Sequence, residues 1–163
     1  MKRSYIPIHW YACRVPVIGT GKLKRYLEEE GIEHYFPSDE VHKLLPGLLF
    51  IRTDYESALG LPEKSACKLS YLSDPITKRL LEVPDDEMEV FVFMQQFSDK
   101  ILVLPQPEKL TGGEKVRILQ GDFAGLEGEL YRIKGHKRVV VRMGSLLAFA
   151  TSYVPKEHLS KIE

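Results

Sequence analysis

Apolar and polar residues repeat in two different rhythms along this chain, and the change of rhythm divides it. Residues 11–15 form a short apolar run behind Trp10 and predict a first strand, which Gly19-Thr20-Gly21 closes. Between residues 22 and 30, Leu23, Tyr26 and Leu27 fall at i, i+3 and i+4, the stripe of an amphipathic helix that Gly31 stops. His34-Tyr35-Phe36 predicts a short strand ending at Pro37. The turn Pro46-Gly47 introduces a buried strand over residues 48–51. A short helix over residues 55–61 and two weaker strands, 66–72 and 79–83, come next, the strands joined across Ser73-Asp74-Pro75. Pro84-Asp85-Asp86-Glu87 then starts a helix, its three acids beside the positive end of the dipole. Beyond residue 113 the period is two throughout. Runs at 115–119, 129–133, 138–143 and 147–150 are separated by Gly121, Gly125 and Gly128, by Lys134-Gly135-His136 and by Gly144-Ser145. Such short strands with tight turns predict a small β-barrel, closed so that no edge is left bare, with one helical turn over residues 155–159. The fold class is α+β: a four-stranded antiparallel sheet layered with helices, then the barrel.

Composition narrows the field. The chain has 163 residues, enough for one ordinary domain or two small ones, with 44% apolar and 28% charged positions, which is globular usage. No run approaches the ~18 apolar residues of a membrane span, and the basic N-terminal stretch has no apolar core of a secretory signal. Two cysteines, Cys13 and Cys67, sit in apolar surroundings without metal spacing, which predicts a reduced, cytoplasmic chain. Net charge is zero overall but not locally. Residues 1–104 carry 13 basic and 16 acidic side chains, whereas residues 105–163 carry 10 and 7. The sign changes at a stretch with two prolines and two glycines, predicting a flexible linker over 105–112 between domains at 1–104 and 113–163.

Two segments are at odds with local preference. In the first predicted helix, Lys22, Lys24 and Arg25 stand at the start and Glu28, Glu29 and Glu30 at the end, against the macrodipole. Either this is a solvated face with paired charges, or the basic start meets phosphate and binds DNA. The second segment, residues 88–97, has two apolar stripes: Val90, Phe93, Met94 and Phe97, and Met88, Phe91 and Val92. One covers the sheet. The other is either buried as well or offers a docking surface to another protein.

Residues 113–128, with Gly121, Phe123, Gly125 and Gly128 around the turn, resemble the KOW motif. Upstream, Trp10-Tyr11, Tyr35-Phe36-Pro37, residues 45–51 and Val83-Pro84-Asp85 follow the order of motifs in the NusG N-terminal domain. Together they cover nearly the whole chain, which resembles the specialised NusG paralogues such as RfaH and the UpxY regulators of capsular polysaccharide loci. The usual hairpin between the second and third strands is shortened here to residues 38–44, and Tyr26 and Glu29 stand where RfaH carries DNA-reading groups.

The resemblance implies a monomeric, cytoplasmic transcription elongation or antitermination factor with no catalytic residue, no metal and no cofactor. Its N-terminal domain would dock on the β′ clamp helices and β gate loop of RNA polymerase through Arg14, Leu45, Met88 and Phe91. Lys22, Lys24 and Arg25 would lie towards non-template DNA, and the KOW domain would recruit a small-subunit ribosomal protein or a termination factor. Its target would be one operon, such as a surface-polysaccharide locus. The alternative is a KOW-containing ribosomal or RNA-binding protein, which the net acidic first piece disfavours. The β-branched Val139-Val140-Val141 and five glycines predict that residues 113–163 stay in a permanent five-stranded barrel, with the polymerase face open rather than masked.

Overall fold

A computed structural model describes residues 6–144 and 146–163. The basic stretch 1–5 and Ser145, half of the expected Gly144-Ser145 divider, lie outside the described residues. The chain divides into two compact units, residues 1–88 and 89–163.

In the first unit, β1 (His9–Arg14) is the central strand. The order is β2 (Glu33–Tyr35), β3 (Leu48–Thr53), β1, then β4 (Ser70–Tyr71). A fifth strand, β5 (Glu82–Val83), also pairs with β1, so the sheet has five strands where four were expected. The cause lies in register: Cys13 and Arg14 face Tyr71 and Ser70 of β4, whereas Trp10 and Tyr11 face Val83 and Glu82 of β5. One edge of β1 is thus shared end to end by two short segments, held together by the bridge Ser73–Leu80.

Residues 48–51 are buried at four successive positions, so both faces of β3 are covered. One face presents Cys13, Leu49 and Ile51 to Leu23 and Leu27 of α1 (Thr20–Glu29) and to Leu61 of α3 (Tyr55–Ser65). The predicted hairpin at 38–44 is instead the helix α2 (Asp39–Leu44), with Asp39 and Glu40 in its first turn. Asp54 caps α3: the Ser57 amide donates to Oδ2 at 3.0 Å and the Ser57 hydroxyl to Oδ1 at 2.6 Å. Helix α3 continues past the expected end at Leu61, through Pro62, because Ala58, Leu61 and Ser65 bury one stripe.

Helix α4 (Asp85–Gln95) spans the boundary between the units. The second unit holds a six-stranded antiparallel sheet in the order β11 (Leu159–Lys161), β7 (Glu114–Ile118), β8 (Glu127–Ile133), β9 (His136–Met143), β10 (Leu147–Ala150), β6 (Leu102–Leu104). The last five in sequence are the strands expected after residue 113, with a single 3-10 turn, Lys156–His158, in place of the expected helical turn. Strand β6 is additional: Leu104, Val103 and Leu102 pair with Ala148, Phe149 and Ala150.

The linker expectation fails for a related reason. Pro107 is buried, and Arg142 donates to the carbonyls of Pro107 at 2.6 Å and Leu110 at 2.5 Å while also bonding Glu129 at 2.7 Å. The Gly113 amide donates to the Tyr131 hydroxyl at 3.1 Å. The segment 105–113 is therefore held by the second unit rather than free.

Candidate functional site

The turn Pro46-Gly47 brings the end of β1 beside the start of β3. The Val15 amide donates to the Gly47 carbonyl at 3.0 Å, and Gly47 has φ +78°; a Cβ there would strike the Val15 carbonyl, so only glycine fits. Arg14, opposite Leu48 in the β1–β3 register, is thereby set near Leu45, whose carbonyl accepts from the Leu48 amide at 3.2 Å. Arg14 is exposed and Leu45 half-buried. These two of the four expected polymerase-docking residues share one end of the first sheet.

The other two lie differently. Met88 is 2% exposed and Phe91 1%, so the second apolar stripe of α4 is interior, not a free docking face. Phe91 packs on Phe149 of β10, and Phe97 on Phe123, each pair at 5.1 Å between ring centroids. Val90, Val92 and Phe93 are themselves half-buried. With apolar residues on nearly every side, the helix gains more from burying both stripes than from leaving one in water. The expectation of an open polymerase face is overturned at Phe91.

Lys22, Lys24 and Arg25 are all exposed on α1, while Leu23 and Leu27 point into the core. The Lys22 ammonium donates to the carbonyl of Ala66, just past α3, at 3.3 Å. Lys24 stands 5.8 Å from the centre of the Phe36 ring. Among the described residues neither Lys24–Glu28 nor Arg25–Glu29 closes as an ion pair. The paired-charge account of this helix thus loses its pairs.

In the second unit Gly121 and Gly125 take φ of +92° and +91°. The Gly125 amide returns to the Ile118 carbonyl at 2.7 Å, and the Ile118 amide bonds the Leu126 carbonyl at 2.9 Å, which folds Phe123 inward to 5% exposure. Gly128 lies where β8 crosses β9, and any Cβ would collide with the Val140 carbonyl. These four positions are structural, fixing the turn between β7 and β8.

One cleft has no counterpart among the sequence expectations. His9, Tyr11, Tyr55, Arg79 and Glu82 line it, with the Arg79 guanidinium 4.8 Å over the Tyr55 ring. The Tyr11 hydroxyl is buried there without a hydrogen-bond partner, and burial pushes its pKa up. No local pattern announces a cluster drawn from β1, α3 and β5. Among the described residues no group of three or more His, Cys, Asp or Glu is placed to hold a metal ion, and no helix is long and apolar enough to cross a membrane.

The two sheets, with the helices around the first, define an α+β fold of known type. The chain is similar to a solved structure of NusG from Thermotoga maritima, described as domain interaction in that protein: TM-score 0.51, 17% identity, with 96% of this chain and 98% of that one covered. The likeness extends over both units and establishes the fold. No protein-family model matches the sequence, and no curated protein does.

Proposed function

We propose that this protein is a NusG-type transcription factor that binds RNA polymerase and suppresses pausing or termination, acting on a specific operon such as a surface-polysaccharide locus. The observation that carries the reading is likeness of fold along 96% of the chain, coinciding with the ordered motifs at Trp10-Tyr11, Pro46-Gly47, Val83-Pro84-Asp85 and Gly121 to Gly128. Arg14 and Leu45, joined at one end of the first sheet, begin the docking surface for the β′ clamp helices, and Met88 and Phe91 extend it. The gate loop of β is the second contact, Lys22, Lys24 and Arg25 lie towards non-template DNA, and residues 113–163 take a ribosomal protein or termination factor.

Because Phe91 is buried against Phe149, docking through it requires that the two rings part. Residues 105–112 are where the chain opens when they do, since two prolines and the adjacent glycines resist any regular structure that would weld the parts together. Binding to polymerase then competes with the Phe91–Phe149 packing, and the free protein binds less tightly than its contact surface alone dictates.

The test is binding to purified core RNA polymerase, followed by single-round transcription on a template with defined pause sites. The expected result is a stable complex and shorter pause lifetimes. Absence of both, with sedimentation alongside ribosomal subunits instead, overturns the reading in favour of a ribosomal KOW protein.

A further inference from the structure

The turn between β1 and α1 carries two side chains that the fold does not use. Val17 is 80% exposed and Ile18 98%. They sit on a rigid platform: Pro16 fixes its own φ, its carbonyl accepts from the Gly19 amide at 2.9 Å and from the Thr20 hydroxyl at 3.3 Å, and the turn is a 3-10 turn running straight into α1. A single exposed aliphatic is ordinary, but an adjacent branched pair held out on a stiff turn is not explained by the core.

The surroundings are cationic on both flanks. On one side Arg14 and Lys68 line a cleft with Val15, Pro16 and Leu69. On the other, Lys24 stands over the Phe36 ring, and Phe36 and Val17 line a second cleft. Lys22, anchored on Ala66, lies between the α1 side and the segment leading to Lys68. Among the described residues none of Arg14, Lys22, Lys24 or Lys68 is in an ion pair.

We infer that Val17 and Ile18 form an apolar wedge that enters an opened base step of DNA, with Arg14 and Lys68 holding the phosphates of one strand and Lys22 and Lys24 those of the other. An aliphatic side chain can cap a base face left bare where stacking is broken, and flanking cations collect the diverging backbones. Charge decides the occupant, because two tracks of unpaired cations separated by an apolar tip complement two polyanionic strands. A bilayer is a poorer match, since one aliphatic pair inserts too little apolar area to anchor a protein. The inference deepens the proposed function by naming what the basic face of the first unit recognises, and it rests on that reading only for its biological setting.

The experiment uses the full chain and a fork-shaped DNA, duplex on one side and two unpaired arms on the other, with 2-aminopurine at the last base pair, in the absence of polymerase. Expected is a rise in 2-aminopurine fluorescence on binding, and fork affinity above that for a blunt duplex of equal length. Val17→Ser with Ile18→Ser should abolish the fluorescence rise and weaken fork binding about tenfold, the size expected when one aliphatic side chain is no longer buried. It should leave duplex binding and the salt slope as they were. Arg14→Gln with Lys68→Gln should instead lower the salt slope on both DNAs. Wild-type protein that binds fork and duplex alike with silent fluorescence overturns the wedge, as does preference for anionic phosphatidylglycerol vesicles over DNA. Since polymerase is absent, a failed wedge leaves the polymerase-binding test untouched, and the reverse holds too.

Discussion

The Phe91 ring of α4 lies 5.1 Å from the Phe149 ring of β10, centroid to centroid, with the planes tilted by 53°. Both side chains are 1% exposed, so this pair is a core contact as well as a candidate switch. Phe91→Ala should therefore cost about 3 kcal/mol or more of stability, read as a lower urea midpoint. Phe149→Ala removes the ring that covers Phe91 without touching the proposed docking residue. It should raise affinity for core polymerase in titrations of the folded variant. An affinity unchanged from wild type would remove Phe91 from the docking surface.

Arg142 should govern the connecting segment. It donates to Pro107 and Leu110 carbonyls and to Glu129, and the Glu129 carboxylate holds the guanidinium charged by raising its pKa. Arg142→Ala leaves two inward-facing carbonyls without this partner and should cost about 2 kcal/mol. The expected signature is faster amide hydrogen exchange over residues 105–113, spreading to β6, with β7–β9 little changed. Uniform protection in the variant would show that the prolines, not the arginine, fix the segment.

The basic start of α1 offers a separate test. Replacing Lys22, Lys24 and Arg25 together by glutamine should weaken DNA binding by the same factor on every sequence. It should also flatten the dependence on salt by about two to three counterions, ~0.9 for each duplex phosphate left without its cation. Stability should change little, since all three are exposed and α1 is held by Leu23 and Leu27. A triple variant with wild-type salt dependence returns these residues to an ordinary solvated face.

Strands β1, β3 and β7 to β10 are legible in the sequence because each carries its own signal: an apolar run or an alternation, bounded by glycine or proline. Arg14 and Leu45 can be grouped for the same reason, as the Pro46-Gly47 turn is visible in sequence. Helix α2 is not legible although Asp39 and Glu40 sit in its first turn, because only Val41 is fully buried and six residues leave no period to read. Strand β6 is hidden since three apolar residues, Leu102 to Leu104, become a strand only by pairing with β10, more than forty positions later. The connecting segment reads as free by composition because its anchor, Arg142, is 32 residues beyond Leu110. Phe91 differs again. Its stripe is recognisable, but whether a second stripe is buried or presented depends on Phe149, which no window around the helix contains.

The buried thiols provide a probe of the first unit. Cys13 is fully buried, its sulfur 3.4 Å from the Leu49 carbonyl, and burial pushes its pKa up to about 12. At pH 8 almost no thiolate exists to react. Cys13 should resist alkylation in the native protein and react only as fast as the first unit opens, with urea restoring ordinary reactivity. Labelling at the rate of a free thiol under native conditions would contradict the placement of β1 in the core.

Acid should weaken the cap of α3. The hydroxyl and amide of Ser57 bond the Asp54 carboxylate and hold its pKa below the ordinary carboxylate value. The folded chain therefore binds fewer protons than the unfolded one wherever the unfolded Asp, at about 3.9, is titrating. The sign follows: the cap's contribution is complete above that value and is lost as pH falls through the lower folded-state value. Asp54→Ala should cost about 1 kcal/mol at pH 7, whereas Asp54→Asn, whose amide oxygen still accepts, should cost less. Urea midpoints from pH 7 down to pH 2 should show the gap between wild type and Asp54→Ala narrowing only below about pH 4, where the unfolded carboxyl begins to bind its proton. A gap that stays constant to the lowest pH would mean that the charged form of Asp54 is not what holds the first turn of α3.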